Sequence, residues 1–271
     1  MRATGLPGRA GGIIVALFLA AATVGPLLAP YAPGRLDPGH ELESPTSAHL
    51  LGTGENGVDL LSAILHGARL AAVIALAVVG ISLVVGTLVG TVAAYAGGWV
   101  DRAARILIDV FMAFPHIVLN VAFAALVARP GAIHLVLALC LTGWVGYARI
   151  CRAQVLALRD REFVVAARAL GVHPWSIVVR HLIPQLLGPL VVQATYSAGA
   201  TILVESSLSF LGLGATSVSW GALLDQGTGY LLRTSRVALV AGAAIAVTLL
   251  GFNLAGEALR DRLDPRSRVL R

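Results

Sequence analysis

The residue with the clearest chemical potential in this chain is an acid set in an apolar run. Glu205 follows a charge-free stretch, Leu182 to Val204, and is itself followed by Ser206, Ser207 and Ser209. An ionisable side chain in apolar surroundings is costly and is kept where it has a task. One reading makes Glu205, Ser206 and Ser209 part of the wall or gate of a polar pathway. The other makes them a hydrogen-bonded contact to a neighbouring chain, and the residue types alone leave both open. Asp109 is a second acid in apolar sequence. It lies near Arg102 and Arg105, which suits local pairing or exposure.

Catalytic chemistry finds little to work with. The 20 basic residues are all Arg, so there is no Walker A lysine, Schiff-base lysine or lysine general base. No H-E-x-x-H occurs, the seven His show no metal spacing, and no nucleophile-elbow pattern is present. Gly52 to Gly57 matches G-x-G-x-x-G, but it follows Pro45 and a polar stretch rather than a strand. No acid lies about 20 residues on, so the dinucleotide reading fails its context and a glycine-rich turn is expected. The sequence therefore predicts no enzyme, no metal site and no cofactor within the chain. Cys140 and Cys151 fall on one expected helix about 16 Å apart and read as small buried hydrophobes.

Composition says what must position these residues. Of 271 residues, 57% are hydrophobic and 13% charged, against about 25% charged in soluble domains. Mean hydropathy is +0.84. The net charge of +6 does not indicate nucleic acid, because the Arg residues sit between apolar runs and aromatics are sparse. A spanning helix needs about 20 apolar residues. Six runs qualify: Gly12 to Ala29, Leu70 to Val100, Ile106 to Ala128, Pro130 to Ala148, Leu182 to Val204 and Val237 to Gly256. The runs are too long for barrel strands, so an all-α integral membrane fold with six transmembrane helices is expected. The first run is long for a signal peptide and lacks a clean cleavage site, so it is read as an uncleaved anchor. Pro115 is expected to kink the third span, and Gly86 and Gly90 to allow close helix packing. Asn253 and Glu257, near the end of the last span, read as capping or helix contacts.

Arginine counts set the expected orientation. With both termini cytoplasmic, the inside holds Arg2, Arg9, Arg102, Arg105, six Arg from Arg149 to Arg180 and five from Arg260 to Arg271. Only Arg35, Arg69, Arg129, Arg233 and Arg236 fall outside. Two long outer segments result, Tyr31 to Gly67 and Gly212 to Arg236. The one long inner segment, Arg149 to Pro184, carries six Arg against Asp160 and Glu162. Within it, residues from Arg161 to Leu170 favour a helix that Gly171 stops in a left-handed conformation. His173-Pro174-Trp175 restarts the chain, and a second short helix is expected to reach His181 and end at Pro184. Small Ala166, Ala167 and Gly171 would let another protein approach, or the stretch could rest on lipid headgroups. No internal repeat is visible, which counts against an inverted-repeat transporter.

The pattern Ala166-Ala167, Gly171, Pro184 resembles the EAA loop of permease subunits in binding-protein-dependent ABC importers. Five further stretches resemble the C-type permease of dipeptide, oligopeptide and nickel importers, in order over roughly residues 13 to 268. They are Leu50 to Thr53 with Asp59, Asp109 with Ala113-Phe114-Pro115, Ser207 to Gly214, Ser219-Trp220-Gly221, and Phe252-Asn253-Leu254 with Leu259 to Arg266. The chain departs from that pattern at Val165, where the loop normally carries Glu, and at Gly54 and Val58. Glu162, three residues before Val165 on the same helical face, is the candidate replacement acid.

The resemblance implies a type I importer permease in a bacterial cytoplasmic (inner) membrane. Its parts would be an anchor helix with an outer segment (1–67), a permease core (68–260) containing the coupling loop 149–184, and a cytoplasmic tail (261–271). It implies a sister permease completing the pathway and an extracytoplasmic binding protein delivering peptide of the dipeptide or oligopeptide class, with nickel and haem left open by the sequence. Two ATPase domains, which would bind ATP and Mg, would couple through Glu162, Val165, Ala166, Ala167, Gly171, His173 and Pro174. The competing class is an ion-gradient-driven secondary transporter or channel, for which Glu205 and Asp109 are the only candidate ion sites.

Overall fold

The computed structural model describes residues 6–127, 131–216 and 218–263. The expected features at Arg2, Arg129 and in most of the tail, including Asp264-Pro265-Arg266, lie outside them. Among the described residues there are helices and connections but no strand, only an isolated bridge between Thr53 and Asp59. In chain order the helices are α1 (Leu6–Leu28), α2 (Leu60–Ala96), α3 (Gly98–Ala113), α4 (His116–Ala125) and α5 (Ala132–Leu158). They continue with α6 (Glu162–Ala169), α7 (Pro174–Ile177), α8 (Ile183–Leu208), α9 (Trp220–Gly229) and α10 (Arg236–Leu263). Among the described residues five helical stretches are long and apolar enough to cross a membrane, and the bent pair α3–α4 makes a sixth if it counts as one span. The all-α, multi-span expectation is borne out.

The span boundaries differ from the sequence reading for local reasons. Helix α2 starts at Leu60, ten residues early, because the Asp59 carboxylate accepts from the Ser62 N–H at 2.8 Å and caps it. Arg69, which bounded the apolar run, points outward from a helix already under way. The residue 67/68 division therefore falls inside α2. Its other end is set by Gly97, at φ +68°, a conformation open to glycine. The third span breaks rather than kinks. Phe114, pushed to an extended backbone by the following Pro115, turns α4 through 83° from α3. Pro184 does not end a helix. From Pro174 to Leu208 the chain is continuously helical, and a π-helical stretch at Val178–Leu182 shifts the register just before the residue that lacks an N–H.

Helix α5 packs along α2. At Gly86 and Gly90 an added Cβ would run into the Trp144 and Ala148 carbonyls, so the expected close packing at this pair is present. Helices α1, α8 and α9 pack on α10. There Gly11 meets Ala255, Gly251 meets Ile14 and Gly199 meets Phe252. Phe18 lies edge-on to both Trp220 and Phe252, at 5.9 and 5.7 Å between ring centres. Small residues bring backbones together, and a few rings fill what remains. Cys140 and Cys151 are both free, Cys151 fully buried.

Candidate functional site

At the arginine-rich end of the bundle, residues 159–182 form a helix, a glycine turn and a second helix. Gly171 has φ +75°, its N–H bonds to the Arg168 carbonyl at 3.0 Å, and the Val172 N–H reaches the Ala167 carbonyl at 3.0 Å. These two bonds make a Schellman C-cap, which satisfies the last carbonyls of α6. Pro174 opens α7, and His173 Nδ1 accepts from the Trp175 N–H at 3.3 Å. Val164, Ala167, Ile177, Val178 and Leu182 bury into one cluster with Ala94, Tyr147, Cys151 and Val155. Arg168 lies 4.9 Å over the Tyr95 ring, and Arg159 Nη1 donates to the Ala94 carbonyl at 3.0 Å. The loop is thus seated on the ends of α2 and α5.

Its other face is open. Phe163, Val165, Leu170 and Trp175 are exposed, Leu170 at 83%. Glu162, Ala166, Gly171, His173 and Pro174 are exposed too, whereas Ala167 turns inward. Of the two small alanines, only Ala166 is available to an approaching surface. Glu162 and Val165 share the exposed side.

Glu205, Ser206 and Ser209 are brought together and sealed inside the chain, Glu205 at 1% exposure. Ser209 Oγ donates to Glu205 Oε1 at 2.8 Å, and Ser206 Oγ to Oε2 at 3.4 Å. The site lies where α8 passes into a π-helical stretch, Ser209–Leu213, that folds back on α9. A Cβ on Gly221 would strike the Ser206 carbonyl, and Trp220 Nε1 donates to the Ile64 carbonyl of α2 at 3.0 Å. The stretches Ser207 to Gly214 and Ser219 to Gly221 are therefore two sides of one joint.

A cleft of about 250 Å³ opens beside that joint, between α2, α4, α5 and α8. Ser82, Asn120, Thr142, Gln193, Ser197 and Thr201 supply its polar lining, with His116 at the elbow; none of the described lining residues is an acid or an arginine. Thr142 Oγ1 donates to Asn120 Oδ1 at 3.1 Å, and Gln193 Nε2 to Ser197 Oγ at 3.2 Å. Sequence reasoning passed these residues over because they are neutral and scattered. The signal was their helical spacing: Gln193, Ser197 and Thr201 each stand four apart. The bidentate pair of Arg152 with Asp101, at 2.7 and 2.8 Å, was also missed, since its partners are 51 residues apart. Asp109 is exposed and forms no ion pair among the described residues, and Asn253 and Glu257 are exposed as well.

At the opposite end, residues 31–59 close on themselves. His49 Nδ1 lies 2.9 Å from Asp59 Oδ1, both buried, while Asp59 Oδ2 accepts from Ser62 Oγ at 2.7 Å. Thr53 is buried and bonded to the His40 carbonyl, and Arg236 Nη2 donates to the Leu42 carbonyl at 2.9 Å. Gly52 to Gly57 is a turn, with φ +78° and +72° at Gly52 and Gly57, as its context indicated. The exposed His40 imidazole is held above its ordinary pKa by its hydrogen bond to Asp37. Among the described residues no three His, Cys, Asp or Glu gather to hold a metal.

Residues 86–269 match the family described as binding-protein-dependent transport system inner membrane component. The chain belongs to this permease family. It is 34% identical over 258 residues to a dipeptide transport system permease of Alkalihalophilus pseudofirmus, covering 94% of this chain and 84% of the relative. It is 36% identical to a glutathione transport system permease of Pectobacterium atrosepticum, covering 95% and 86%. An oligopeptide transport system permease of Mycobacterium tuberculosis is 36% identical over 261 residues, covering 95% and 89%. The resemblance read from the sequence motifs is borne out, and the chain is a non-catalytic permease subunit of the type I ABC fold. The motif residues of such a permease can now be given physical roles here: Asp59 caps a helix, Phe114-Pro115 makes an elbow, and Ser209, Trp220 and Gly221 form a joint.

Proposed function

We propose that this chain is the membrane permease of an ATP-driven peptide importer, pairing with a sister permease in a bacterial inner membrane with both termini cytoplasmic. The observation that carries this reading is the 159–182 loop. It is seated on the bundle by an apolar underside, stiffened by a Schellman turn, and presents Phe163, Val165, Leu170 and Trp175 uncovered. Coupling between an ATPase and a membrane pathway needs a rigid element gripped on both sides. In this reading Glu162, Val165, Ala166, Gly171, His173 and Pro174 meet the ATPase subunits, which bind ATP and Mg, and Ala167 supports them from beneath. The outer segments, 31–67 and 212–236, receive a substrate-binding protein. Peptide as cargo is inferred from relatives named for dipeptides, glutathione and oligopeptides.

The neutral cleft is this chain's half of the pathway, and a sister chain completes it. Its hydroxyls and amides suit a cargo made of amide bonds. Glu205, Ser206 and Ser209 stand behind its wall, where Val204 already lines the cleft, and hold the joint at one end of the pathway. The test is gentle purification of the tagged chain from its native membrane, with mass spectrometry of what accompanies it. A second permease, an ATPase and ATP-dependent peptide uptake are the expected result. A chain recovered alone that drives ion-coupled uptake in vesicles would replace this reading with a secondary transporter.

A further inference from the structure

Two side-chain amides line the cleft, Asn120 from α4 and Gln193 from α8, and each is only half used. Asn120 is 2% exposed. Its Oδ1 accepts from Thr142 Oγ1, and its Nδ2 has no hydrogen-bond partner among the described residues. Gln193 Nε2 donates to Ser197 Oγ, and its Oε1 has no partner among the described residues. For a buried amide such as Asn120, an edge without a partner costs about 1–3 kcal/mol. Both amides border a cleft of about 250 Å³, so the missing partner has a place to sit. The hydroxyls of Thr142 and Ser197 hold the two amides in orientation ahead of its arrival.

The spacing of the amides points to the kind of partner. Both rest on one face of α5. Asn120 is tied to Thr142, and a Cβ on Gly146 would lie 3.2 Å from Gln193 Nε2. Thr142 and Gly146 are four residues apart, so the amides stand one turn, or about 6 Å, from each other along α5. In an extended peptide the N–H and C=O groups on one edge recur every second residue, about 6.6–6.8 Å. Gly143 lines the cleft between them and adds no side chain to the floor.

We infer that Asn120 and Gln193 pair with the backbone of an extended peptide at residues two apart, and so set a tripeptide as the shortest cargo that both can hold. This assignment rests on the peptide-importer reading above. Asn120 gives its N–H to a cargo carbonyl, and Gln193 takes a cargo N–H. Thr142 is the positioning residue for Asn120, and Ser197 for Gln193. Side chains of an extended peptide point to its faces rather than its edge, so this contact leaves their identity free.

The test uses the complete transporter in proteoliposomes, its binding protein saturated with radiolabelled trialanine or dialanine. Asn120→Leu and Gln193→Leu each lower trialanine uptake per ATP hydrolysed by about fivefold, as expected for one lost hydrogen bond. Each lowers dialanine uptake by no more than about twofold, because a dipeptide engages one amide at a time and can use the other. Thr142→Val lowers trialanine uptake by about threefold, and Thr142→Ser leaves it unchanged. A change that merely loosens the bundle reduces both cargoes alike, so equal losses for trialanine and dialanine overturn the inference. Unchanged trialanine uptake in Asn120→Leu overturns it as well and leaves the amides to water. Where Asn120→Leu does not assemble, the Thr142 variants carry the test, and equal trialanine uptake by the two overturns the inference. No uptake of either peptide by the unaltered transporter overturns the peptide reading itself, and this assignment with it.

Discussion

The two connecting regions at opposite ends of this bundle are built on opposite plans. One segment, residues 31–59, spends its polar groups on itself: His49 on Asp59, Thr53 on a carbonyl, Asp59 on the first turn of α2. The loop at the arginine-rich end, residues 159–182, makes few side-chain hydrogen bonds and leaves large apolar side chains uncovered. A segment that satisfies its own polar groups holds its shape before any partner arrives. A segment with a buried apolar underside and an exposed apolar top is complete only when something covers it. The difference teaches where this chain is a module in its own right and where it is a component.

The sharpest way to break that contrast is at Gly171. Proline there cannot take φ +75° and removes the N–H bonded to Arg168. Gly171→Pro is expected to lower uptake by at least about tenfold at matched protein level, with membrane insertion retained. Uptake at the unaltered level would sink the coupling role. At the opposite end, Asp59→Ala strips α2 of its cap and leaves His49 buried without its partner. A loss of about 3 kcal/mol is expected, read as a lower melting temperature of the purified protein. An unchanged melting temperature would show that residues 31–59 are not self-sustaining.

A smaller effect tests the replacement acid of the loop. Glu162→Gln is expected to reduce uptake per ATP by about threefold, and Val165→Glu in that background to restore it, as suits an exposed charge contact. No difference between Glu162→Gln and the unaltered chain would remove Glu162 from the contact. The smallest effect concerns His40. Its pKa is raised in the folded chain, so its pair with Asp37 contributes below the ordinary histidine value and is lost as pH rises through the folded value. Asp37→Asn should lower the NMR titration midpoint of His40, and an unmoved midpoint would dismiss the pair.

Much of the fold was legible because lipid imposes a simple code: long apolar runs must be helices. The Gly171 turn and the Gly86–Gly90 contact were legible for a related reason, since glycine marks where a Cβ cannot go. What was not legible was set by residues distant in sequence. Phe114-Pro115 announced a bend but not its 83°, because the angle depends on what α4 packs against. Pro184 read as a stop, yet the register shift at Val178–Leu182 carries the helix past it. Glu205 drew attention by its charge, while the cleft is lined by neutral residues contributed by four helices. Charge is visible in a sequence, whereas a cavity exists only between elements.

Helix α2 has one more consequence. Its 37 residues rise about 55 Å, nearly twice the thickness of the hydrocarbon layer. Residues 31–59 are clamped to its first turn through Asp59 and Ser62, so the helix works as a mast with a platform fixed at the top. A rocking of the mast by about 5° about its foot sweeps that platform sideways by about 5 Å, from the helix length alone. A small rotation at the foot thus becomes a step as wide as a peptide unit at the far end, with no joint needed along the way.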